Sequence, residues 1–171
     1  MRNKNKGFSL IELLIVVAII LIIAAIAIPN LLRARITANE TSAVGSIRTI
    51  NTASVQYSST YGNGFPPTLL TLGPPAAPPA VCNSADLIDQ VLAAGQKSGY
   101  NFNFFPGAPV ANPPAGCAAG AVSYDIAAVP ITVGTTGQRS FCTNQSGVIR
   151  QDPAGAPIAG GACIAPLAVV Q

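Results

Sequence analysis

The chain opens with a long apolar run. Between Phe8 and Ile28 there are 21 residues, and only Ser9 and Glu12 among them are polar. A helix of this length measures about 31 Å at about 1.5 Å per residue, which matches the roughly 30 Å hydrocarbon core of a bilayer. The pattern therefore predicts a transmembrane helix over 8–28.

An amphipathic pattern follows over residues 29–62. Its apolar positions recur at helical spacings of three, four and seven, which is typical of one buried helix face. These positions are Ala43, Ile47, Ile50, Tyr57 and Tyr61. We predict one helix from about Ser9 to Tyr61, with its second half covering a sheet. Pro29 lacks an amide hydrogen and clashes with the preceding turn, which predicts a kink at that residue.

Residues 63–171 read as loop followed by an antiparallel sheet. The stretch 73–80 contains four prolines and is interpreted as a loop. Ala85–Ala94 is predicted to be a short helix with its apolar residues Leu87, Val91 and Leu92 facing inward. Four runs bounded by glycine and proline predict strands in a meander. These runs are Tyr100–Phe105, Val122–Val129, Gln138–Thr143 and Val148–Gln151.

Alternation along the first two predicted strands assigns one face to the helix. Tyr100, Phe102 and Phe104 alternate with polar neighbours, and Tyr124 and Ile126 repeat the pattern. The opposite face is expected to meet solvent or a neighbouring molecule. The predicted fold class is therefore α+β, with a long kinked N-terminal helix packed on a small antiparallel sheet.

The charge distribution and the absence of histidine argue against nucleic-acid binding and catalysis. Only 9% of the residues are charged, and the basic residues Arg2, Lys4 and Lys6 account for the net charge of +3. The remaining basic and acidic residues balance, so no basic groove for nucleic acid is expected. The chain has no histidine, which removes the commonest general base and metal ligand. We predict no enzyme activity, no catalytic residues, no metal and no cofactor.

The basic leader also predicts the orientation in the membrane. Positive charge before the apolar run, with weaker positive charge after it, keeps the N-terminus in the cytoplasm and the rest outside. An ordinary cleaved signal sequence is the alternative, since Ala25-Ile26-Ala27 has the spacing of a signal-peptidase site. The apolar run is, however, longer than the usual 7 to 15 residues of a cleaved signal.

Glu12 needs an explanation, because an ionised carboxylate inside a bilayer costs about 2.5 to 3.5 kcal/mol. One explanation is local. Ser9-Leu10-Ile11-Glu12 fits a capping box, in which the Glu12 carboxylate accepts from the Ser9 amide while the serine oxygen accepts from the Glu12 amide. Such a cap accounts for a glutamate near the helix start, but it does not account for the glycine and phenylalanine before it.

The four cysteines are expected to form two disulfides. They are Cys82, Cys117, Cys142 and Cys163, without any C-x-x-C pair. An even count after an export signal favours an oxidising compartment and disulfide staples over a zinc site. Three pairings are possible, and that of Cys142 with Cys163, near the last hairpin, is favoured.

The run from Lys6-Gly7-Phe8 through Ser9-Leu10-Ile11-Glu12 to Pro29 resembles the class III leader and first helix of type IV pilins and type II secretion pseudopilins. The resemblance implies a pilin-like fold, removal of the leader 1–7 by a prepilin peptidase that cuts after Gly7, and methylation of the new amine on Phe8. In that family the acid at the Glu12 position pairs with the N-terminal amine of a neighbouring subunit.

The resemblance also implies partners and a location. A homopolymeric filament would grow from an inner-membrane assembly platform driven by a separate assembly ATPase. The single-pass subunit would lie in the bacterial inner membrane before assembly and in an extracellular fibre afterwards. A type IV pilus subunit is the favoured function, and a pseudopilin of a type II secretion system is the alternative. Adhesion, motility, DNA uptake and electron transfer as uses of the fibre are not separated by the sequence.

Overall fold

The computed structural model describes residues 9–164 and 167–170. It divides into two compact units, which we call the N-terminal unit (1–35) and the globular unit (36–171). The predicted cleavage and methylation residues, Gly7 and Phe8, lie outside the described residues.

Helix α1 spans Leu10–Tyr61, a length of 52 residues, with Pro29 inside it. It ends where the chain needs left-handed backbone, since Gly62 has a φ of +62° and Gly64 a φ of +68°. Residues with a side chain rarely adopt such angles, so these glycines explain why the helix stops here. The kink at Pro29 stays a prediction.

The strands of the described residues form one antiparallel sheet with the order β1-β2-β3-β4-β5-β6. Each strand therefore pairs with its neighbour in the sequence, as the predicted meander requires. The strands are β1 Gln96–Lys97, β2 Tyr100–Pro106, β3 Tyr124–Pro130, β4 Ser140–Asn144, β5 Arg150–Asp152 and β6 Ala168–Val169. A 3₁₀ turn over Leu69–Leu72 and a short helix α2 over Gln90–Ala93 complete the regular elements.

The main core lies between α1 and one face of the sheet. Helix residues Ile47, Ile50 and Tyr57 are fully buried, and they cluster with sheet residues such as Ile126 and Phe141. These helix residues belong to the apolar face that the sequence predicts. Together with the antiparallel sheet they confirm the predicted α+β, pilin-like fold class.

The opposite face of the sheet is partly covered, which corrects the expectation that it meets solvent or a neighbour. Ala127 and Cys142 form a second buried cluster with Ile158 and Cys163. The C-terminal loop therefore lies over the centre of this face. Burial on both sides explains why β3 carries small alanines at Ala127 and Ala128.

The predicted helix over Ala85–Ala94 is wrong in its first half. Asp86 has a φ of +53°, and the amides of Ala85 and Leu87 donate to carbonyls of Thr71 and Leu72. These bonds hold 85–88 in an irregular conformation against the 3₁₀ turn. The helix begins only after Asp89, whose carboxylate accepts from the Leu92 amide and caps it.

The inward residues of this segment also differ from the prediction. Leu92 is buried and Leu87 is half-buried, but Val91 is 58% exposed. A helix of four residues presents a single turn to the core, so Val91 and Leu92 cannot both face inward.

Two disulfides join the four cysteines, all of which are described. Cys82 is bonded to Cys117 across 35 residues, and Cys142 to Cys163 across 21 residues. The second bond ties the C-terminal loop to β4, and both its cysteines are buried. It therefore holds the loop over the second face of the sheet.

A buried acid fixes α1 to the turn between β3 and β4. Glu40 is 6% exposed, and its carboxylate accepts from the backbone amides of Gln138 and Arg139 at 2.9 and 3.1 Å. The Arg139 guanidinium donates to the same carboxylate at 3.0 and 2.6 Å. Burial raises the pKa of Glu40. The hydrogen bonds from Arg139 and Gln138 lower the pKa by more than burial raises it, so it lies below its ordinary value of 4.5.

We predict that replacing both Cys142 and Cys163 by alanine lowers the free energy of unfolding by about 3 kcal/mol, because the unfolded chain regains the entropy of an open loop. Urea unfolding of the detergent-solubilised chain, followed by near-UV circular dichroism, measures the change. The control replaces Cys82 and Cys117. Its loss should be larger by about 0.5 kcal/mol, since this bond closes a loop of 35 residues rather than 21. The reverse order would contradict this account.

We predict that Glu40→Gln lowers the free energy of unfolding by about 1 to 3 kcal/mol at neutral pH, the usual range for hydrogen bonds to a charged group. Because the folded pKa is depressed, the ionised acid stabilises the fold above pH 4.5, and this stabilisation is lost as the pH falls through the folded pKa. Urea unfolding of both forms between pH 7 and pH 3 checks this. A difference that stays constant down to pH 3 would refute the role of the charge.

Candidate assembly site in the N-terminal segment

The N-terminal unit exposes an apolar surface on every side of its helix. All the large apolar side chains from Leu10 to Leu32 are exposed, with values between 42% for Leu32 and 77% for Leu10. Transfer of apolar surface from water is worth about 25 cal/mol per Å². A helix that is apolar all round therefore requires a lipid or protein environment.

Helix α1 is the one helix of the described residues that is long and apolar enough to cross a membrane. The qualifying stretch lies near the N-terminus and is not buried within the structure. A core helix of a soluble protein would pass the same test of length and composition, but it would be covered by its own chain. The exposure of this segment separates it from that case.

Glu12 lies in the first turn of this helix. Its Oε2 accepts a hydrogen bond from the Ser9 backbone amide at 3.0 Å. This bond is one of the two that the predicted capping box requires, namely the one from the Ser9 amide to the Glu12 carboxylate. The bond satisfies an amide that has no partner within the helix, and the negative charge also favours the positive end of the helix dipole.

The bond to Ser9 leaves Glu12 with acceptor capacity. A carboxylate has two oxygens and about four lone-pair sites, and the Ser9 amide takes one of them. The second oxygen, Oε1, is therefore available to a cation that approaches the exposed start of the helix. The predicted partner, the amine of Phe8 in another copy, lies outside the described residues.

The described residues of the globular unit hold four cysteines and five acidic side chains. Among those residues no group of three or more His, Cys, Asp or Glu side chains could hold a metal ion. Burial raises the pKa of Tyr124 to about 12, and its hydroxyl donates to Asn51 at 3.1 Å. Burial also raises the pKa of Tyr100, whose hydroxyl donates to the Arg139 carbonyl. Both phenols therefore stay neutral and serve the core.

The sheet edges are poor sites for joining subunits. The two edge strands, β1 and β6, have only two residues each in the described chain. A short edge offers few unpaired backbone groups to a strand of another molecule. Association through strands added to β1 or β6 is therefore disfavoured.

Sequence reasoning missed two buried polar anchors. Glu40 stands three residues before Ala43 and seven before Ile47, so it continues the apolar face, and it is buried where it binds Arg139 and the turn beside it. Asn63 is fully buried, where its amide donates to the Ala118 carbonyl at 2.7 Å and its oxygen accepts from Gly120. Neither partner is close in sequence, so no local pattern could reveal them.

Comparison with known proteins matches the same segment. The family described as Prokaryotic N-terminal methylation motif matches residues 2–28. The Type IV wide pilus major component PilA4 of Thermus thermophilus is 71% identical over 41 residues, which are 24% of this chain and 30% of the relative. The Type IV major pilin protein PilA of Myxococcus xanthus is 45% identical over 56 residues, 33% of this chain and 26% of the relative.

The match covers less than a third of the length of either relative, and the family model covers residues 2–28. No solved structure matches the chain. The matched residues include the exposed apolar helix and Glu12, the features that the geometry singles out. Over this segment the chain is similar to type IV major pilins, and it carries the N-terminal methylation motif.

Proposed function

We propose that the protein is a structural subunit of a type IV pilus, which polymerises through its N-terminal helix. The observation that carries the proposal is the apolar surface that surrounds α1 from Leu10 to Leu32, within a methylation motif shared with major pilins. The helix is soluble in lipid before assembly. In a fibre, the helices of neighbouring copies supply an equally apolar environment, so extraction does not expose the surface to water.

Processing completes the proposed subunit. A prepilin peptidase removes residues 1–7 and methylates the amine of Phe8, which leaves 164 of the 171 residues. Methylation adds a little bulk, while the amine keeps its positive charge. The basic leader holds the N-terminus in the cytoplasm, so the globular unit lies outside the inner membrane. An assembly platform and a separate assembly ATPase then drive insertion into the fibre.

Glu12 is proposed to guide the incoming subunit. A lone carboxylate and a lone amine are both unfavourable in an apolar core, whereas a paired arrangement compensates much of the desolvation. The oxygen that the Ser9 amide does not use can accept from the Phe8 amine of another copy. The pairing would set the axial position of each new subunit, because a subunit out of register leaves both charges buried and unpaired.

Mass spectrometry of the mature N-terminus tests the processing step. We expect a chain that begins at N-methylated Phe8 and lacks the first seven residues, because the resemblance of residues 6–12 to a class III leader implies a cut after Gly7. A chain that keeps Met1 would indicate a plain membrane anchor. A chain that begins at Ile28 or Pro29 would indicate ordinary signal cleavage, and either result would contradict the proposal.

Variants of Glu12 separate its charge from its role as a cap. Glu12→Gln retains an oxygen for the Ser9 amide but has no charge, whereas Glu12→Ala loses both. We expect both variants to be processed and to yield at least about tenfold fewer surface fibres, because the Phe8 amine is left unpaired in an apolar environment. Electron microscopy and immunoblots of sheared fibres measure the yield.

The controls for this experiment are Glu12→Asp, which keeps the charge, and Ser9→Ala, which keeps the backbone amide that binds Glu12. Both should assemble far better than Glu12→Gln. Normal fibres from Glu12→Gln would overturn the charge pairing and leave only the cap. Fibres that appear only under secretion load, rather than as long surface pili, would indicate the pseudopilin alternative.

A further inference from the structure

Charged residues mark the two ends of the apolar helix surface. Glu12 stands at its N-terminal end, and Arg33 and Arg35 stand at its C-terminal end. No charged residue lies between Glu12 and Arg33 in the sequence. Large apolar side chains stay exposed as far as Leu32, which is 42% exposed. The surface that a membrane can cover therefore extends past Ile28, the end of the transmembrane helix that the sequence pattern predicts.

The uncharged stretch 13–32 has the length of a bilayer core. Its 20 residues measure about 30 Å at about 1.5 Å per residue, and the hydrocarbon core is about 30 Å thick. The stretch 8–28 is almost equally long, so length does not separate the two positions. Between them the helix slides by about 7 Å along its axis. The polar groups at its ends decide which position is favoured.

The polar groups at the N-terminal end favour a core that begins at Leu13. With a core over 8–28, the Glu12 carboxylate and its bond to the Ser9 amide lie about 6 Å inside the hydrocarbon, where a charge is unfavourable. The first amides of a helix have no acceptor within it, so they need water or headgroups as partners. The Leu13 amide is satisfied, because it donates to the Ser9 carbonyl at 3.3 Å. A core that begins at Leu13 leaves the earlier amides outside the hydrocarbon.

The proposed cut between Gly7 and Phe8 favours the same position. Hydrolysis of a peptide bond consumes a water molecule, so water must reach this bond. A core that begins at Phe8 places the bond at the edge of the hydrocarbon. A core that begins at Leu13 places it five residues further out, on the cytoplasmic side. The leader is then removed without withdrawal of the helix from the membrane.

At the C-terminal end, Arg33 and Arg35 then lie at the level of the lipid phosphates. The polar layers of a bilayer add roughly 5 to 7 Å on each side of the core. Arg33 and Arg35 follow Leu32 by about 1.5 and 4.5 Å along the helix axis, and both are exposed. A guanidinium presents its N–H donors in one plane and binds two oxygens of a phosphate in parallel.

We propose that the membrane-stored subunit spans the bilayer core with residues 13–32, and that Arg33 and Arg35 bind headgroup phosphates of the leaflet opposite the cytoplasm. The inference rests on the proposed function, because it describes the subunit before assembly. Glu12 stays in the headgroup layer during storage. It enters an apolar environment only in the fibre, where the Phe8 amine of another copy is available as its partner.

Depth-dependent fluorescence quenching tests the span. The chain contains no tryptophan, so a single introduced indole reports a single position. Ile22→Trp lies beside the centre of a core over 13–32, and Ala18→Trp lies at the centre of a core over 8–28. The full-length variants are reconstituted into vesicles of phosphatidylethanolamine and phosphatidylglycerol, with a nitroxide near the headgroup or near the chain end.

We expect the ratio of chain-end to headgroup quenching to be at least about twofold higher for Ile22→Trp, because its indole lies about 6 Å closer to the centre of the bilayer. The two positions are four residues apart and lie on the same face of the helix, so they are matched in orientation. Equal ratios, or a higher ratio for Ala18→Trp, would overturn the proposed span.

Solid-state NMR tests the phosphate contacts. The arginines are labelled with ¹³C in the guanidinium, and the buffer contains no phosphate, so dephasing by ³¹P reports lipid alone. We expect Arg33→Gln/Arg35→Gln to lose at least about half of the dephasing, whereas the control Arg48→Gln loses none, because Arg48 lies about 20 Å beyond Arg35 along α1. No dephasing in the unaltered chain, or the same dephasing in the double variant, would overturn the contact.

Both measurements use the stored subunit and do not depend on fibre formation. If they fail for a chain that forms surface fibres, the proposed position in the membrane is wrong and the proposed function stands. If the unaltered chain forms no fibres, the proposed function is wrong, whatever depth the quenching reports.

Discussion

The rest of the structure depends on one constraint, the need to keep an apolar helix surface out of water. The N-terminal unit has no side on which its helix is polar, so it cannot stand in water alone. In the proposed function, lipid meets this need before assembly and other copies meet it afterwards. Exchange between the two environments is possible because neither requires new backbone hydrogen bonds, since a helix satisfies its own.

The globular unit is built to stay folded while its environment changes. Its sheet is covered by α1 on one face and by the disulfide-tied C-terminal loop on the other. Glu40 and Arg139 fix the helix to the turn before β4 with four hydrogen bonds to one carboxylate. Short edge strands limit pairing with other sheets. Both features suit the proposed association through the helix.

Three buried polar groups of the globular unit have the same structural role. Glu40, Asn63 and Tyr57 each join a part of the chain near α1 to a distant loop, and each is hydrogen-bonded. A buried polar group left unpaired in one of these positions would cost about 1 to 3 kcal/mol. A misplaced loop would therefore destabilise the fold by about that amount. In a chain with so few charges, such contacts replace the surface ion pairs that more highly charged proteins use.

The sequence alone determined the features that repeat over many residues. The apolar run, the amphipathic face at Ala43, Ile47 and Ile50, and the order of the main strands follow from local spacing. Tertiary structure decided what depends on distant partners. The segment 85–88 is not helical because its backbone amides donate to the carbonyls of residues 71–73. Strand β6 exists because Ala168 pairs with Gln151 of β5. A two-residue strand has no periodicity to read, so only its neighbour in the sheet can define it.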